Sequence, residues 1–244
     1  MKIITINQKY LSFCQNIKNI FEETQNSIHK ARNEIKIVEQ EPRNFVIKSF
    51  KIPHIINKIA YTFFRSSKAE KSYINSLKIM NFVPKPIAYI ETKKNALLHE
   101  SYFISEHFAY DFTIREPLTH KEFKHKNEIY QAFAQFTNEL HNQGIKHLDY
   151  SPGNILIKKE DQIYIFKIID INRMQFKTLN KQERLENFSK LWATDEDLSI
   201  IIKEYAKINH IDEKEALLIA LKASQKHKDK KNFKKRLKGK KVVD

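Results

Sequence analysis

The segment GIKHLDYSPGNILI, residues 144–157, sets His147, Asp149 and Asn154 at H-x-D-x-x-x-x-N spacing. An apolar run follows, and sixteen residues after Asn154 the stretch YIFKIID ends in a second carboxylate, Asp170. Phosphoryl transfer from ATP asks for positioning and charge neutralisation more than for covalent chemistry. It needs a carboxylate to orient the attacking hydroxyl, oxygen ligands for Mg2+ and a cation on the nucleotide phosphates. Asp149 can be that base, with Asn154 and Asp170 as the metal's oxygen ligands. A lone H-x-D is an ordinary turn. The offset Asn154, the NILI run and an apolar strand ending in Asp170 make the ordered set specific. His147 is read as bracing the loop.

Only three glycines occur, Gly144, Gly153 and Gly239, and two of them belong to this segment. Neither a P-loop nor a dinucleotide-binding glycine fingerprint is therefore possible. The glycines mark where backbone freedom is needed.

The elements that must position the loop change character along the chain. Residues 17–50 read as short β segments: partial alternation from Ile28 to Val38, the charged turn EQEPRN, then NFVIKSF. SSKAEKSYINSLKIM, from Ser66, has helical spacing through Ala69, Tyr73, Leu77 and Met80, with Ser66 or Ser67 as cap. FVPKPIAYI returns to strand, and ALLHESYFISEHF (96–108) reads as a buried strand running into a connector. Residues 120–141 predict an amphipathic helix through Phe123, Ile129, Tyr130, Phe133, Phe136 and Leu140. The loop, a strand pair and helices near 195–207 and 212–224 complete the order. This is an α+β chain of two lobes. We assign 1–104 to a small β-rich N-lobe with one helix, 105–112 to a hinge and 113–225 to a mainly helical C-lobe. Residues 226–244 read as a disordered basic tail.

The chain has 244 residues and a formal charge of +15. Residues 226–244 hold ten Lys/Arg against two acids, so about half of the excess is in that tail. Such a run reads as a solvated tail, as an attachment to an anionic membrane face, or as a nonspecific nucleic-acid contact. No base-stacking motif accompanies it, so nucleic acid is not expected and the membrane is favoured. The single cysteine, Cys14, excludes an internal disulfide, and no Cys/His cluster has zinc-ligand spacing. The N-terminus has no sustained apolar region, and no segment reaches the ~20 apolar residues that span a bilayer. A cytoplasmic protein, peripheral on the cytoplasmic face of the inner membrane, is expected.

HLDYSPGNIL resembles the catalytic loop of the protein-kinase-like superfamily and is similar to aminoglycoside phosphotransferase loops. With DINRM at the metal position, and RNEIK, VIKSFKIP, RSSKAEKSY and PKPIAYIE upstream, the chain resembles the Kdo/WaaP lipopolysaccharide kinase family over residues 26 to 205. The resemblance implies a two-lobed kinase fold that uses ATP and Mg2+ to phosphorylate a sugar hydroxyl, Kdo or heptose, of a lipopolysaccharide core or lipid A precursor. It implies that Asp149 is the catalytic base, that Asn154 and Asp170 hold Mg2+, and that Lys48 contacts the α- and β-phosphates. Adenine would lie against the backbone of Glu106, His107 and Phe108. The alternatives are a kinase for another small molecule or a protein, and a nucleotide-binding pseudokinase.

The chain departs from the wider pattern in several places. The strands expected to cover the phosphates contain no glycine, so close approach would fall to a turn such as HKARNEIK. Ser151 stands where protein kinases have a cation, Ile171 and Asn172 follow Asp170 in place of Phe and Gly, and no A-P-E element follows. In relatives the helix glutamate that pairs with the lysine falls one turn later, at the position of Ile74 here. Glu70, the only acid in that helix, is the candidate to take the role; otherwise the ion pair is absent.

Overall fold

The computed structural model describes residues 1–30, 33–40, 42–52 and 54–239. The chain divides into two units, Met1–Ala109 with Asp170–Asn172, and Tyr110–Ile169 with Arg173 onward.

The first unit contains β1 (Lys2–Thr5), α1 (Leu11–Gln15), α2 (Ile17–Glu23), β2 (Ser27–Lys30), β3 (Asn33–Gln40), β4 (Arg43–Phe50), α3 (Ile55–Phe63), α4 (Lys68–Lys78), β5 (Pro86–Lys94) and β6 (Leu97–Glu106). The strands form an antiparallel sheet in the order β1-β5-β6-β4-β3-β2. Alternation along β4 buries Phe45 and Ile47 against one layer, with Phe13, Cys14, Ile17 and Phe21 from α1 and α2. Phe50, on the other face, packs with Ala69 and Tyr73 of α4 and Tyr89 of β5. Residues 17–23, expected as strand, are therefore helical; their apolar residues cover the sheet instead of extending it.

Helix α4 starts where Ser67 predicts, its hydroxyl accepting the Glu70 amide at 3.1 Å. The buried stripe is Ala69, Ser72, Tyr73 and Ser76, whereas the predicted Leu77 and Met80 are exposed. The tip of the HKARNEIK turn, residues 31 and 32, lies outside the described residues.

The second unit contains β7 (Phe112–Thr113), α5 (Arg115–Thr119), α6 (Lys126–Asn142), β8 (Ile145–His147), β9 (Ile155–Glu160), β10 (Ile163–Ile168), β11 (Met174–Phe176), α7 (Lys181–Asn187), α8 (Asp195–Ile208) and α9 (Glu213–Arg236). Helix α6 begins at Lys126, so Phe123 precedes it. Its Phe133 is fully buried among the rings of Tyr150, Phe166 and Phe188. Strands β9 and β10 form the expected hairpin, β7 adds to β9, and β11 pairs with β8.

Residues 226–236, expected as a disordered tail, continue α9. Ser224 and Asn232 are buried, the Lys228 ammonium donates to the Ala193 carbonyl at 2.8 Å, and Lys235 lies 5.3 Å from the centre of the Trp192 ring. Charge runs are solvated when nothing contacts them; here one face of the run is docked. Residues 240–244 lie outside the described residues. No helix among the described residues is long and apolar enough to cross a membrane.

Gly144 has φ +69°, and a Cβ there would meet the Lys177 carbonyl oxygen at 2.8 Å. Gly144→Ala should therefore cost at least about 1–2 kcal/mol, read by urea denaturation. His141 is held by burial, then by the charges of Arg184 and Lys146, well below its ordinary 6.5, at about 3. Between those values the unfolded chain binds the proton and the folded chain does not, so stability falls as pH drops from 6.5 towards 3. His141→Gln should make that decline shallower; an unchanged slope in urea titrations across the window would refute the assignment.

Candidate active site

In the first unit, Lys48 stands mid-strand in β4, opposite Ile35 of β3 and Phe103 of β6. Its ammonium is 2.6 Å from the Asp170 carboxylate. Asp170 has left-handed backbone, φ +58°, which is strained for a residue with a Cβ. Neighbouring bonds hold it there. The Asn172 amide donates to the same Asp170 oxygen at 2.9 Å, and the Asn75 amide of α4 donates to the Ile171 carbonyl at 2.7 Å. The structure thus brings together two residues 122 positions apart that the sequence assigned to phosphate and to metal.

Glu70 does not join them. Its carboxylate accepts from Lys2 at 3.2 Å and from the Tyr89 hydroxyl at 3.0 Å. Burial opposes its ionisation, and hydrogen bonds from Ser66, Lys2 and Tyr89 outweigh that, so Glu70 sits below the usual glutamate range. The expected Lys48–Glu70 pair is replaced by Lys48–Asp170 and Lys2–Glu70, because Glu70 lies in the first turn of α4 beside β1 and β5. Ile74, one turn on, is exposed and cannot supply a charge.

At the end of β6, Glu106 is paired with Arg43 and lies 3.9 Å from Lys85. The His107 amide donates to the Asn44 carbonyl at 2.8 Å, so that N–H is engaged in the sheet. Burial lowers the His107 pKa, favouring neutral imidazole. Phe108 follows in the same connector.

In the second unit, the loop between β8 and β9 is bonded largely to itself. His147 is buried; its Nδ1 accepts the Asp149 amide at 2.9 Å, which places the proton on Nε2, 2.9 Å from the Ile169 carbonyl. Tyr150 is buried, stacks on Phe133 and shares a 2.8 Å hydroxyl bond with Thr137. The Asn154 amide nitrogen donates to the Asp149 carbonyl at 2.9 Å, leaving Oδ1 as the acceptor face. The Ile169 amide donates to the Asn154 carbonyl at 2.9 Å, tying the loop to the chain entering Asp170.

The sequence reading missed Arg173. Its guanidinium pairs with the Asp149 carboxylate, and its carbonyl accepts the Leu148 amide at 3.1 Å beside the β8–β11 pairing. Lys190, also unanticipated, donates to the Leu148 carbonyl. A cation beside Asp149 thus comes from DINRM, with Ser151 at the position where protein kinases carry one. Ser151 was visible as a missing charge, but nothing local to Arg173 identified it as the replacement.

The two residues that the sequence reading assigns to a metal both carry oxygen donors: the Asn154 carboxamide in the second unit and the Asp170 carboxylate in the first. Among the described residues no cluster of three or more His, Cys, Asp or Glu could cage a metal. Carboxamide and carboxylate oxygens are ligands that suit a hard cation such as Mg2+.

Lys2→Met and Glu70→Gln should each lower thermal stability and together lose less than their sum, with a coupling of about 0.2–1 kcal/mol. Glu70's contribution is present above the unfolded glutamate value near 4.5 and fades as pH falls through its lower folded value. Strict additivity in a double-mutant cycle at neutral pH would remove the Lys2–Glu70 tie.

The lipopolysaccharide kinase (Kdo/WaaP) family model matches residues 53–211. No curated protein matches the chain. A solved structure of WaaP in complex with acyl carrier protein matches with a TM-score of 0.59 at 14% identity, covering 92% of this chain and 99% of that one. At that identity the likeness is one of fold: a β-rich first part and a helical second part. The family model, however, spans more than half of the sequence and includes Asp149, Asn154 and Asp170, so the chain belongs to the lipopolysaccharide kinase (Kdo/WaaP) family and is a kinase.

Proposed function

We propose that this kinase transfers the γ-phosphate of ATP, with Mg2+, to a sugar hydroxyl, Kdo or heptose, of a lipopolysaccharide core or lipid A precursor. The observation that carries the reading is the 2.6 Å Lys48–Asp170 pair. It stores, as one neutral unit, the cation suited to the α- and β-phosphates and the carboxylate suited to the metal that accompanies them. Asn154, its Oδ1 free of the bond its amide makes to Asp149, would be the second protein ligand. Bound Mg2+ would neutralise charge developing on the phosphoryl oxygens.

Asp149 orients the acceptor hydroxyl. As the sugar oxygen bonds to the γ-phosphorus and the bond to ADP breaks, the hydroxyl proton passes to the Asp149 carboxylate. Arg173 holds that carboxylate in place and compensates its charge. Adenine would lie along the connector through the Glu106 and His107 carbonyls and the Phe108 amide, since the His107 amide is engaged by Asn44.

The acceptor is part of a lipid, which favours work at the cytoplasmic face of the inner membrane. Exposed cations of α9, among them Lys230, Lys231, Lys234 and Arg236, support attraction to an anionic surface, worth ~1 kcal/mol per cation close to it. Asp149→Asn should lower phosphate transfer from labelled ATP to purified core about 10²–10⁴-fold while leaving nucleotide binding in place. Asp170→Ala should in addition abolish the Mg2+-dependent thermal shift with ATP. Full turnover by Asp149→Asn would overturn the role given to the loop.

A further inference from the structure

Helix α3 carries its polarity outside in. At about 100° per residue, Ile55, Ile59, Phe63 and Ile56 fall on one arc about 100° wide. A helix of a water-soluble domain turns such an arc to the core. Here the four side chains are 61%, 42%, 64% and 79% exposed, and no residue of α3 is buried. The side towards the sheet is instead the one with Tyr61 and Thr62, both half-buried, and the Thr62 hydroxyl accepts the Leu98 amide of β6 at 2.9 Å. Ile52 and Phe64, 42% and 81% exposed, extend the apolar surface at both ends.

The stretch of chain that carries this surface is basic. Lys51, Lys58, Arg65 and Lys68 flank it, and no Asp or Glu occurs from residue 51 to residue 69. Beside the helix, a cavity of about 240 Å³ has a mixed lining, with Lys51 and Lys68 as its cations and Phe50, Ile52, Tyr61 and Leu98 as its apolar wall. An apolar ridge with cations beside it, next to a recess whose lining includes both lysines and apolar side chains, complements a layer whose outer zone is anionic and whose inner zone is hydrocarbon. A folded acidic partner would match the cations but would have to supply a groove for a convex row of Ile and Phe.

We propose that α3, with Lys51, Ile52 and residues 64–68 beside it, is an interfacial anchor, lying along a bilayer of anionic lipid with Ile55, Ile56, Ile59 and Phe63 in the acyl boundary and the recess facing headgroup phosphates. This deepens the reading of the protein as a kinase of a lipid-borne sugar and rests on it for its purpose. The anchor differs from the cations of α9 in its response to salt. Purely electrostatic attachment is screened at 1 M, where the Debye length is ~3 Å, while apolar insertion persists.

The test is co-sedimentation of the full chain with phosphatidylglycerol-containing vesicles and with phosphatidylcholine vesicles, at low and high salt. Ile56→Ser/Phe63→Ser/Phe64→Ser should weaken binding to the anionic vesicles at least about tenfold and abolish the salt-resistant part. These side chains are exposed, and an unchanged thermal melt confirms the fold. In a Trp192→Phe background, Phe63→Trp should give indole emission that shifts to the blue on binding and is quenched by brominated acyl chains. Equal sedimentation of the triple variant and the wild type, or indole emission unchanged on bound vesicles, would overturn the anchor. Binding of an acidic soluble protein that depends on these residues, with no vesicle binding, would overturn it in favour of a protein interface. Sedimentation is read without turnover, so the two readings fail separately. Absence of phosphate transfer to soluble, delipidated core in both wild type and variant would refute the acceptor, not the anchor.

Discussion

A lysine in the middle of a sheet must have a counter-charge, and in the first unit everything around β4 follows from which one it has. The Lys48 ammonium lies 5.3 Å from the Phe50 ring and opposite Phe103, in a place where an isolated charge is costly. Asp170 meets it at 2.6 Å. To do so the chain adopts a left-handed residue at Asp170 and fastens the next two residues through Asn75 and Asn172. The same partnership explains why Glu70 is not needed there and instead ties α4 to β1 and β5. On the proposed reading the pair is exchangeable: phosphate would replace the carboxylate on Lys48, and a cation would replace the ammonium on Asp170.

The second unit solves a different problem, holding a carboxylate still with very few glycines and little regular structure. The Asp149 amide, the Asp149 carbonyl and the Asp149 side chain each have a named partner, in His147, Asn154 and Arg173. Tyr150, between Asp149 and Ser151, is sunk into the aromatic core of α6. A carboxylate with so little freedom would, in the proposed role of base, meet a hydroxyl at small entropic cost.

The family was legible in the sequence because the loop and the Asp170 segment restrict both residue type and offset, and β4, α4, β5 and β6 were legible because their periodicity is local. Other features depended on distant partners. Ile17, Ile20 and Phe21 stand at helical i, i+3, i+4 spacing, a signal too short to stand out from the strand-like segments that follow, and burial against the sheet makes the segment a helix. Glu70 carried the right charge on the right helix, yet its neighbour is Lys2, sixty-eight residues away. Arg173 reaches Asp149 because β11 pairs with β8, a register set by the fold. The cationic end of α9 is helical since Ala193 and Trp192 give Lys228 and Lys235 somewhere to dock. Charge and composition described these residues correctly and said nothing about their contacts.

The one thiol of the chain, Cys14, is completely buried beneath the sheet, and burial pushes its pKa up to about 11. At neutral pH almost none of it is thiolate, the form that reacts with oxidants and alkylating agents. Slow reaction with maleimide is therefore expected of the native fold, and fast adduct formation at Cys14 would report unfolding of the first unit. A cysteine placed by design on any exposed position could carry a dye or spin label selectively, with the natural residue left in its core.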